Sequence, residues 1–253
     1  MKDIILEKIK ELEEENQVKV LYACESGSRA WGFASPDSDY DVRYIYARER
    51  DSYLSIVDQR DVLELPVDEV LDISGWDIRK ALQLFMKSNA PLYEWLQSPI
   101  VYIEHTDFRE TLTGLMPAYF SPRAGGHHYL SMAHNVFTNE LSGSSIKLKK
   151  YFYVLRPLLA CLWIQAGKGV PPMEFAHLRT LITNADIQAA IDQLLELKAR
   201  SDEQTVIPPI EPLHQWMAAT LEECRAQSAD LEPVKNDIAE LDGIFRKYIA
   251  YDN

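Results

Sequence analysis

A run of β-branched, aromatic and apolar residues, Val18 to Cys24, leads within three positions into Gly27-Ser28. The run predicts a buried strand. Glycine permits a tight turn and a close backbone approach, and a short helix is predicted directly after it, around Arg29 to Gly32. The start of a helix offers free N–H groups and the positive end of a dipole, which suit a phosphate. The stretch therefore predicts a phosphate-binding turn, to which Ser28 can add a hydroxyl donor.

Two carboxylates in D-x-D spacing, Asp39 and Asp41, open a second predicted strand that runs to Tyr46. Side chains alternate between the faces of a strand, so both carboxylates should point the same way. Like charges held side by side are costly unless a cation neutralises them, and Mg²⁺ prefers carboxylates together with substrate phosphates. A Gly-Ser turn or a D-x-D pair alone is common, but their succession predicts a metal-dependent phosphoryl or nucleotidyl site.

The remaining pattern divides the chain into two parts. Before residue 107 it predicts a helix over residues 3–15, short strands at Val62–Leu65 and Glu69–Ile73, and a helix opened by a capping box, Ser74-x-x-Asp77. Afterwards helical periodicity recurs over residues 107–116, 127–141, 145–166, 173–182, 184–200, 211–228 and 233–250. We therefore predict an α+β domain over residues 1–106, with a small mixed sheet and flanking helices, followed by an all-helical domain over residues 107–253.

Charge and composition exclude several classes of protein. The net charge is −13, from 26 Lys and Arg against 39 Asp and Glu, which argues against broad binding to duplex nucleic acid. The cysteines, Cys24, Cys161 and Cys224, are too far apart to indicate a disulfide framework or a zinc site. The first 16 residues lack an apolar signal core, and no apolar stretch approaches the length of about 20 residues that spans a membrane. We expect a cytoplasmic protein with no membrane partner.

The succession of Gly27-Ser28, a spacer of about ten residues and Asp39-x-Asp41 resembles the signature of the DNA polymerase β-like nucleotidyltransferase superfamily. Within it the chain is most similar to bacterial predicted nucleotidyltransferases that are grouped with RNA-repair-associated polymerase β-like proteins. The resemblance spans roughly residues 20–175 and includes Ser38-Asp39-Tyr40-Asp41-Val42-Arg43, Glu94-Trp95-Leu96 and Lys150-Tyr151-x-Tyr153-x-Leu155-Arg156-Pro157. It departs at Asn89-Ala90-Pro91, where the family more often has Asn-Pro.

The resemblance implies a nucleotidyltransferase sheet and a third carboxylate on a neighbouring strand. Asp72 interrupts an apolar strand run, where an unpaired carboxylate is unexpected, whereas Asp77 already has a capping role. We favour Asp72. The family then implies two Mg²⁺ ions, with Mn²⁺ as an alternative, on Asp39, Asp41 and Asp72 as the catalytic and metal-binding residues. The resemblance also implies that the helical domain closes the active-site cleft.

The reaction implied by the resemblance moves a nucleoside monophosphate from an NTP to a hydroxyl and releases pyrophosphate. Gly27, Ser28, Arg29 and Arg43 are the candidates for triphosphate binding in the first part, although each arginine equally suits a surface ion pair. Lys150 and Arg156 are the candidates for triphosphate binding in the helical part. The alternative is that they belong to a solvated helix face and bind no ligand.

The acceptor of that reaction stays open between an RNA end, a small molecule and a protein hydroxyl. The alternative function is a nucleotide-binding sensor or partner-binding module of the same fold that does not turn over.

Overall fold

In the computed structural model, contacts divide the chain into two compact units. The structure describes residues 1–67, 70–105, 107–227, 234 and 237–250. The first unit comprises the described residues of 1–27, 39–119 and 235–253, and the second comprises those of 28–38 and 120–234. Residues 28–38, which begin with a short helix and which we call the loop 28–38, thus belong to the helix-rich unit, although they lie between two strands along the chain. The predicted domain boundary at residue 106 stays a prediction.

The first unit contains a five-stranded mixed sheet of order β3-β4-β2-β1-β5. Strands β2 and β4 are parallel, and the other neighbouring strands are antiparallel. The strands are β1 (Val18–Glu25), β2 (Tyr40–Arg48), β3 (Val62–Glu64), β4 (Leu71–Asp77) and β5 (Val101–Glu104). This architecture confirms the predicted α+β class with a small mixed sheet.

Along the chain, helices precede, separate and follow the strands of the sheet, and they make up most of the second unit. They are α1 (Lys2–Asn16), α2 (Gly27–Trp31), α3 (Ile78–Met86), α4 (Ala90–Leu96), α5 (Phe108–Tyr119), α6 (Pro122–Glu140), α7 (Leu148–Gln165), α8 (Phe175–Leu178), α9 (Ala185–Lys198), α10 (Glu211–Gln227) and α11 (Ile238–Ile249). Short 3₁₀ segments occupy Arg50–Leu54 and Arg179–Leu181. Among the described residues, no helix combines the length and apolarity needed to cross a membrane.

The core of the first unit forms where α1 packs on the two central strands. Ile5, Ile9 and Leu12 recur at helical spacing and are buried against residues of β1 and β2 such as Val20 and Val42. The predicted first helix and first two strands agree with α1, β1 and β2 to within two residues at each end. Tight packing of β2 in this core fixes the strand that carries Asp41.

The start of α3 differs from the prediction. Ser74 lies inside β4, so the capping box is wrong, and Asp77 is itself the N-cap. The reason is that Leu71, Ile73, Gly75 and Asp77 alternate into the buried face and continue the strand to the helix. The predicted strand also began at Glu69, a position outside the described residues.

Besides the 3₁₀ segment at Arg50–Leu54, one strand and one helix of the first unit were not predicted. β5 has only four residues, and α4 begins where Asn89 accepts a hydrogen bond from the Leu92 N–H at 3.2 Å. The residues Asn89-Ala90-Pro91, which depart from the family pattern, are thus the N-terminal cap and first residues of α4, because proline is tolerated in the first turn of a helix.

The second unit is built around α7, in which twelve residues are buried. It also contains a two-residue antiparallel ladder between β6 (Ile146–Lys147) and β7 (Val206–Ile207), which the all-helical prediction lacked. Phe33 of the loop 28–38 stacks on Phe152 of α7, with ring centroids 4.7 Å apart. The loop is therefore part of the core of this unit.

Candidate active site

Asp41 and Asp72 face each other across the parallel strands β2 and β4. They are register partners, so their side chains project from the same face of the sheet. Arg43, two residues after Asp41, places Nη2 3.2 Å from Asp41 Oδ1 and 2.7 Å from Asp72 Oδ2. The two carboxyl side chains are 32% and 31% exposed. Two partly buried carboxylates therefore share one guanidinium at the surface of the sheet.

The turn at Gly27 packs against the carboxylate of Asp41. Gly27 has φ +58°, and a Cβ added there would lie 1.9 Å from Asp41 Oδ2. The Ser26 N–H donates to the Asp41 carbonyl at 2.7 Å. Only glycine combines this backbone conformation with so close an approach.

Glu25 hydrogen-bonds the backbone of Asp41 beside this turn, and the sequence analysis did not identify it. Its side chain is fully buried, with Oε1 accepting from the Asp41 N–H at 2.9 Å and Oε2 accepting from the Tyr102 hydroxyl. Ser98 Oγ donates to its carbonyl at 2.6 Å. A buried carboxylate is costly unless it is hydrogen-bonded. The available signal was an acid that ends an apolar strand run directly before the turn.

The two other acidic candidates, Asp39 and Asp77, have different surroundings. Asp39 is exposed and precedes β2 by one residue, so the strand that was predicted to carry it begins at Tyr40. Asp77 is buried at the opposite end of β4 from Asp72; its Oδ1 accepts from the Arg79 N–H at 2.8 Å and its Oδ2 from the Tyr53 hydroxyl at 2.9 Å. Burial raises the pKa of Asp77 above its usual range, although these hydrogen bonds act in the other direction. Both oxygens of Asp77 therefore have structural partners.

Ser28 and Arg29 follow Gly27 along the chain and belong to the second unit. Ser28 Oγ donates to Ser38 Oγ at 3.1 Å, and Arg29 Nη2 donates to the Ser38 carbonyl at 2.6 Å. Both side chains are partly exposed. Their contribution to nucleotide binding stays a prediction.

The candidates of α7 differ from each other. Lys150 is partly exposed and pairs with Glu140 at 3.0 Å. Arg156 is 3% exposed, donates through Nε and Nη2 to the Met173 carbonyl, and lies 4.6 Å from the centre of the Trp31 ring. The burial of Arg156 gives it a structural role within the unit, and nucleotide binding by either residue stays a prediction.

The donor chemistry of Asp41 and Asp72 fits a hard divalent cation. Within the part of the chain that the structure describes, no group of three His, Cys, Asp or Glu side chains could hold a metal alone. Mg²⁺ is usually held by one or two carboxylates, with phosphates and water supplying the remaining oxygens. Two neighbouring carboxylates with accessible oxygens meet that requirement.

The change Arg43→Met is expected to increase the affinity of the protein for Mn²⁺ about tenfold, because the cation no longer has to displace a guanidinium from both carboxylates. Titration followed by the electron paramagnetic resonance of free Mn²⁺ measures the change. Lys80→Met is the matched control, because it removes a cation from Asp61, which pairs with Lys80 at 3.0 Å. Equal affinities in the two variants would contradict the shared-guanidinium arrangement.

The change Gly27→Ala is expected to lower the free energy of unfolding by about 1–3 kcal/mol and to displace Asp41. Gly167→Ala is the control, since Gly167 has φ +68° and nothing lies within 4 Å of an added Cβ. Urea denaturation of both variants separates backbone strain from steric overlap. Equal losses of stability in the two variants would show that the close approach to Asp41 has no energetic effect.

Comparisons with known proteins show the family of the chain. Residues 1–247 match the model of RlaP, the RNA repair pathway DNA polymerase beta family. The chain is 45% identical over 239 residues to an uncharacterized protein, YcgL, of Bacillus subtilis (strain 168), a match that covers 94% of this chain and 92% of the relative.

The chain also matches a solved structure, that of the nucleotidyltransferase-like protein from Exiguobacterium sibiricum 255-15. It is 14% identical, and the match covers 87% of this chain and 73% of that one with a TM-score of 0.31.

Proposed function

Because this chain belongs to the RNA repair pathway DNA polymerase beta family, we propose that it is a metal-dependent nucleotidyltransferase. It transfers a nucleoside monophosphate from an NTP to a hydroxyl acceptor and releases pyrophosphate. The observation that carries the proposal is the register pairing of Asp41 with Asp72 beside the turn at Gly27. This pairing supplies carboxylate oxygens next to a backbone turn of the kind that approaches phosphates.

Five charged residues of the first unit have roles in this reaction. Asp41 and Asp72 hold the cation, with the exposed carboxylate of Asp39 as a further oxygen donor. When bound, Mg²⁺ neutralises phosphate charge and lowers the pKa of an attacking hydroxyl. Arg43 leaves the two carboxylates and pairs with a phosphate oxygen instead. Glu25 keeps the backbone of Asp41 in place during these exchanges.

The bond changes are those of an in-line displacement at the α-phosphorus. The acceptor oxygen forms a bond to this phosphorus as its proton passes to the carboxylate of Asp72, which acts as the general base. The bond between the phosphorus and the α,β-bridging oxygen breaks, and pyrophosphate departs with the electron pair. The chain's residues supply position and charge, which dominate catalysis of phosphoryl transfer.

We propose an RNA end as the acceptor. The family description refers to RNA repair. The net charge of −13 argues against a long duplex footprint, whereas a single terminal hydroxyl requires few phosphate contacts.

The test incubates the purified protein with Mg²⁺, each of the four α-labelled NTPs and a short RNA that ends in a 3′-hydroxyl. The expected result is release of pyrophosphate together with label on the RNA. The matched control RNA ends in a 3′-phosphate and should receive no label. Label on the protein or on a small molecule would identify that molecule, and not RNA, as the acceptor. NTP binding without release of pyrophosphate would favour a sensor over an enzyme.

A further inference from the structure

A buried ion pair in the second unit contacts the loop that follows Gly27. Lys198, the last residue of α9, is 2% exposed. Its Nζ donates to Ser35 Oγ at 2.8 Å and to Glu203 Oε1 at 3.1 Å. A buried ammonium needs such partners, because its desolvation is otherwise costly. The ion pair therefore ties one side of the loop 28–38 to α9.

Glu203 contacts the loop through both its side chain and its backbone. Its Oε1 accepts from Ser38 Oγ at 2.6 Å, and its backbone N–H lies 3.1 Å from each carboxylate oxygen of Asp37. Lys149 of α7 lies 3.2 Å from its other oxygen. Burial raises the pKa of Glu203, but hydrogen bonds from Ser38, Lys198 and Lys149 and the charge of Lys198 outweigh it and lower the pKa to about 2. Glu203 is therefore an anion at neutral pH.

Ser38 connects this anion to Ser28. Ser38 is 3% exposed, and its hydroxyl accepts from Ser28 Oγ at 3.1 Å and from the Ser35 N–H at 2.9 Å while it donates to Glu203. Because Ser38 donates its own proton to Glu203, it accepts the hydrogen bond from Ser28. This contact sets the orientation of the Ser28 hydroxyl.

We propose that Glu203 and Lys198 are positioning residues that act through Ser38 to hold the Ser28 loop in the form that binds nucleotide phosphates. The inference rests on the proposed function and adds to it two residues far along the chain from the Gly27-Ser28 turn. An anchored loop loses less conformational entropy when it binds, so preorganisation appears as affinity.

The primary test is Ser38→Ala, which removes the connecting hydroxyl and leaves the Lys198–Glu203 pair in place. Trypsin cleavage after Arg29 should accelerate about tenfold, since cleavage follows the population of the open loop. The dissociation constant for inorganic tripolyphosphate with Mg²⁺, measured by titration calorimetry, should rise about tenfold. The KM for NTP should rise similarly, while kcat changes less than about threefold.

Three further variants separate positioning from general loss of structure. Ser38→Thr restores a hydroxyl and should recover affinity. Lys198→Met should reproduce the effects of Ser38→Ala with Ser38 itself intact. Glu196→Gln is the control, because Glu196 on the same helix makes only an exposed pair with Arg200, at 3.5 Å, among the ion pairs of the described residues; it should leave all three measurements unchanged.

The outcomes distinguish this proposal from the proposed function. Unchanged cleavage at Arg29 in Ser38→Ala and Lys198→Met would overturn the anchoring. Faster cleavage with unchanged tripolyphosphate affinity would overturn the role in phosphate binding. Wild-type protein that binds no tripolyphosphate and releases no pyrophosphate would overturn the proposed function, and the trypsin comparison would still decide the anchoring.

Discussion

Replacing Asp41 with asparagine is expected to slow pyrophosphate release at least about a thousandfold, because a metal ion contributes several kcal/mol to such a reaction. The fold should persist. The carboxylate is partly exposed and its contact with Arg43 is 3.2 Å long, so the free energy of unfolding should change by no more than about 1 kcal/mol. The two measurements are the rate of pyrophosphate release and urea denaturation.

Asp61→Asn is the matched control for this experiment. Asp61 also pairs with a cation in the first unit, at 3.0 Å from Lys80, and is more exposed. It should retain full activity. An active Asp41→Asn enzyme, or one that has lost several kcal/mol of stability, would remove Asp41 from the assigned site.

The second large effect separates Asp72 from Asp77. Asp72→Ala should reduce pyrophosphate release about a thousandfold or more and lower stability by no more than about 1 kcal/mol, because it loses one partly exposed ion pair. Asp77→Ala should retain most activity and cost about 1–2 kcal/mol, because the N-cap of α3 and the partner of the Tyr53 hydroxyl are lost.

The same two assays on both variants decide between the acids. The opposite pattern, in which Asp77→Ala is inactive and Asp72→Ala is active, would place the third carboxylate at the start of α3. If both variants lose activity and lose the same amount of stability, the loss of activity would reflect damage to the fold, and the assignment of Asp72 as a metal ligand would fail.

Local patterns were sufficient for the elements that meet at the site. The apolar run of β1, the turn at Gly27 and the acid within the strand run of β4 were each visible in the sequence, because strand alternation and turn chemistry depend on neighbouring residues. The register that sets Asp41 opposite Asp72 was not visible. It follows from a parallel pairing that residues distant along the chain determine together.

The features that were missed depend on contacts distant in sequence. β5, a strand of four residues, pairs with β1 at an edge of the sheet, and its pattern was too short to interpret alone. Glu25 reads as an ordinary charged residue until Tyr102 and the Asp41 N–H are placed beside it. The Ser38–Glu203 contact joins residues 165 positions apart. No periodicity indicates such partners, since they arise only from tertiary packing.

The most direct measurement of the central claim, that Asp41 and Asp72 together hold the cation of a nucleotide site, is Mn²⁺ affinity in the presence of an NTP analogue with a methylene group between the α- and β-phosphorus. The account predicts that the double variant Asp41→Asn/Asp72→Ala binds Mn²⁺ at least about a hundredfold more weakly than the wild type. Both proteins should unfold at similar urea concentrations. Equal Mn²⁺ affinity in the wild type and the double variant would contradict the account.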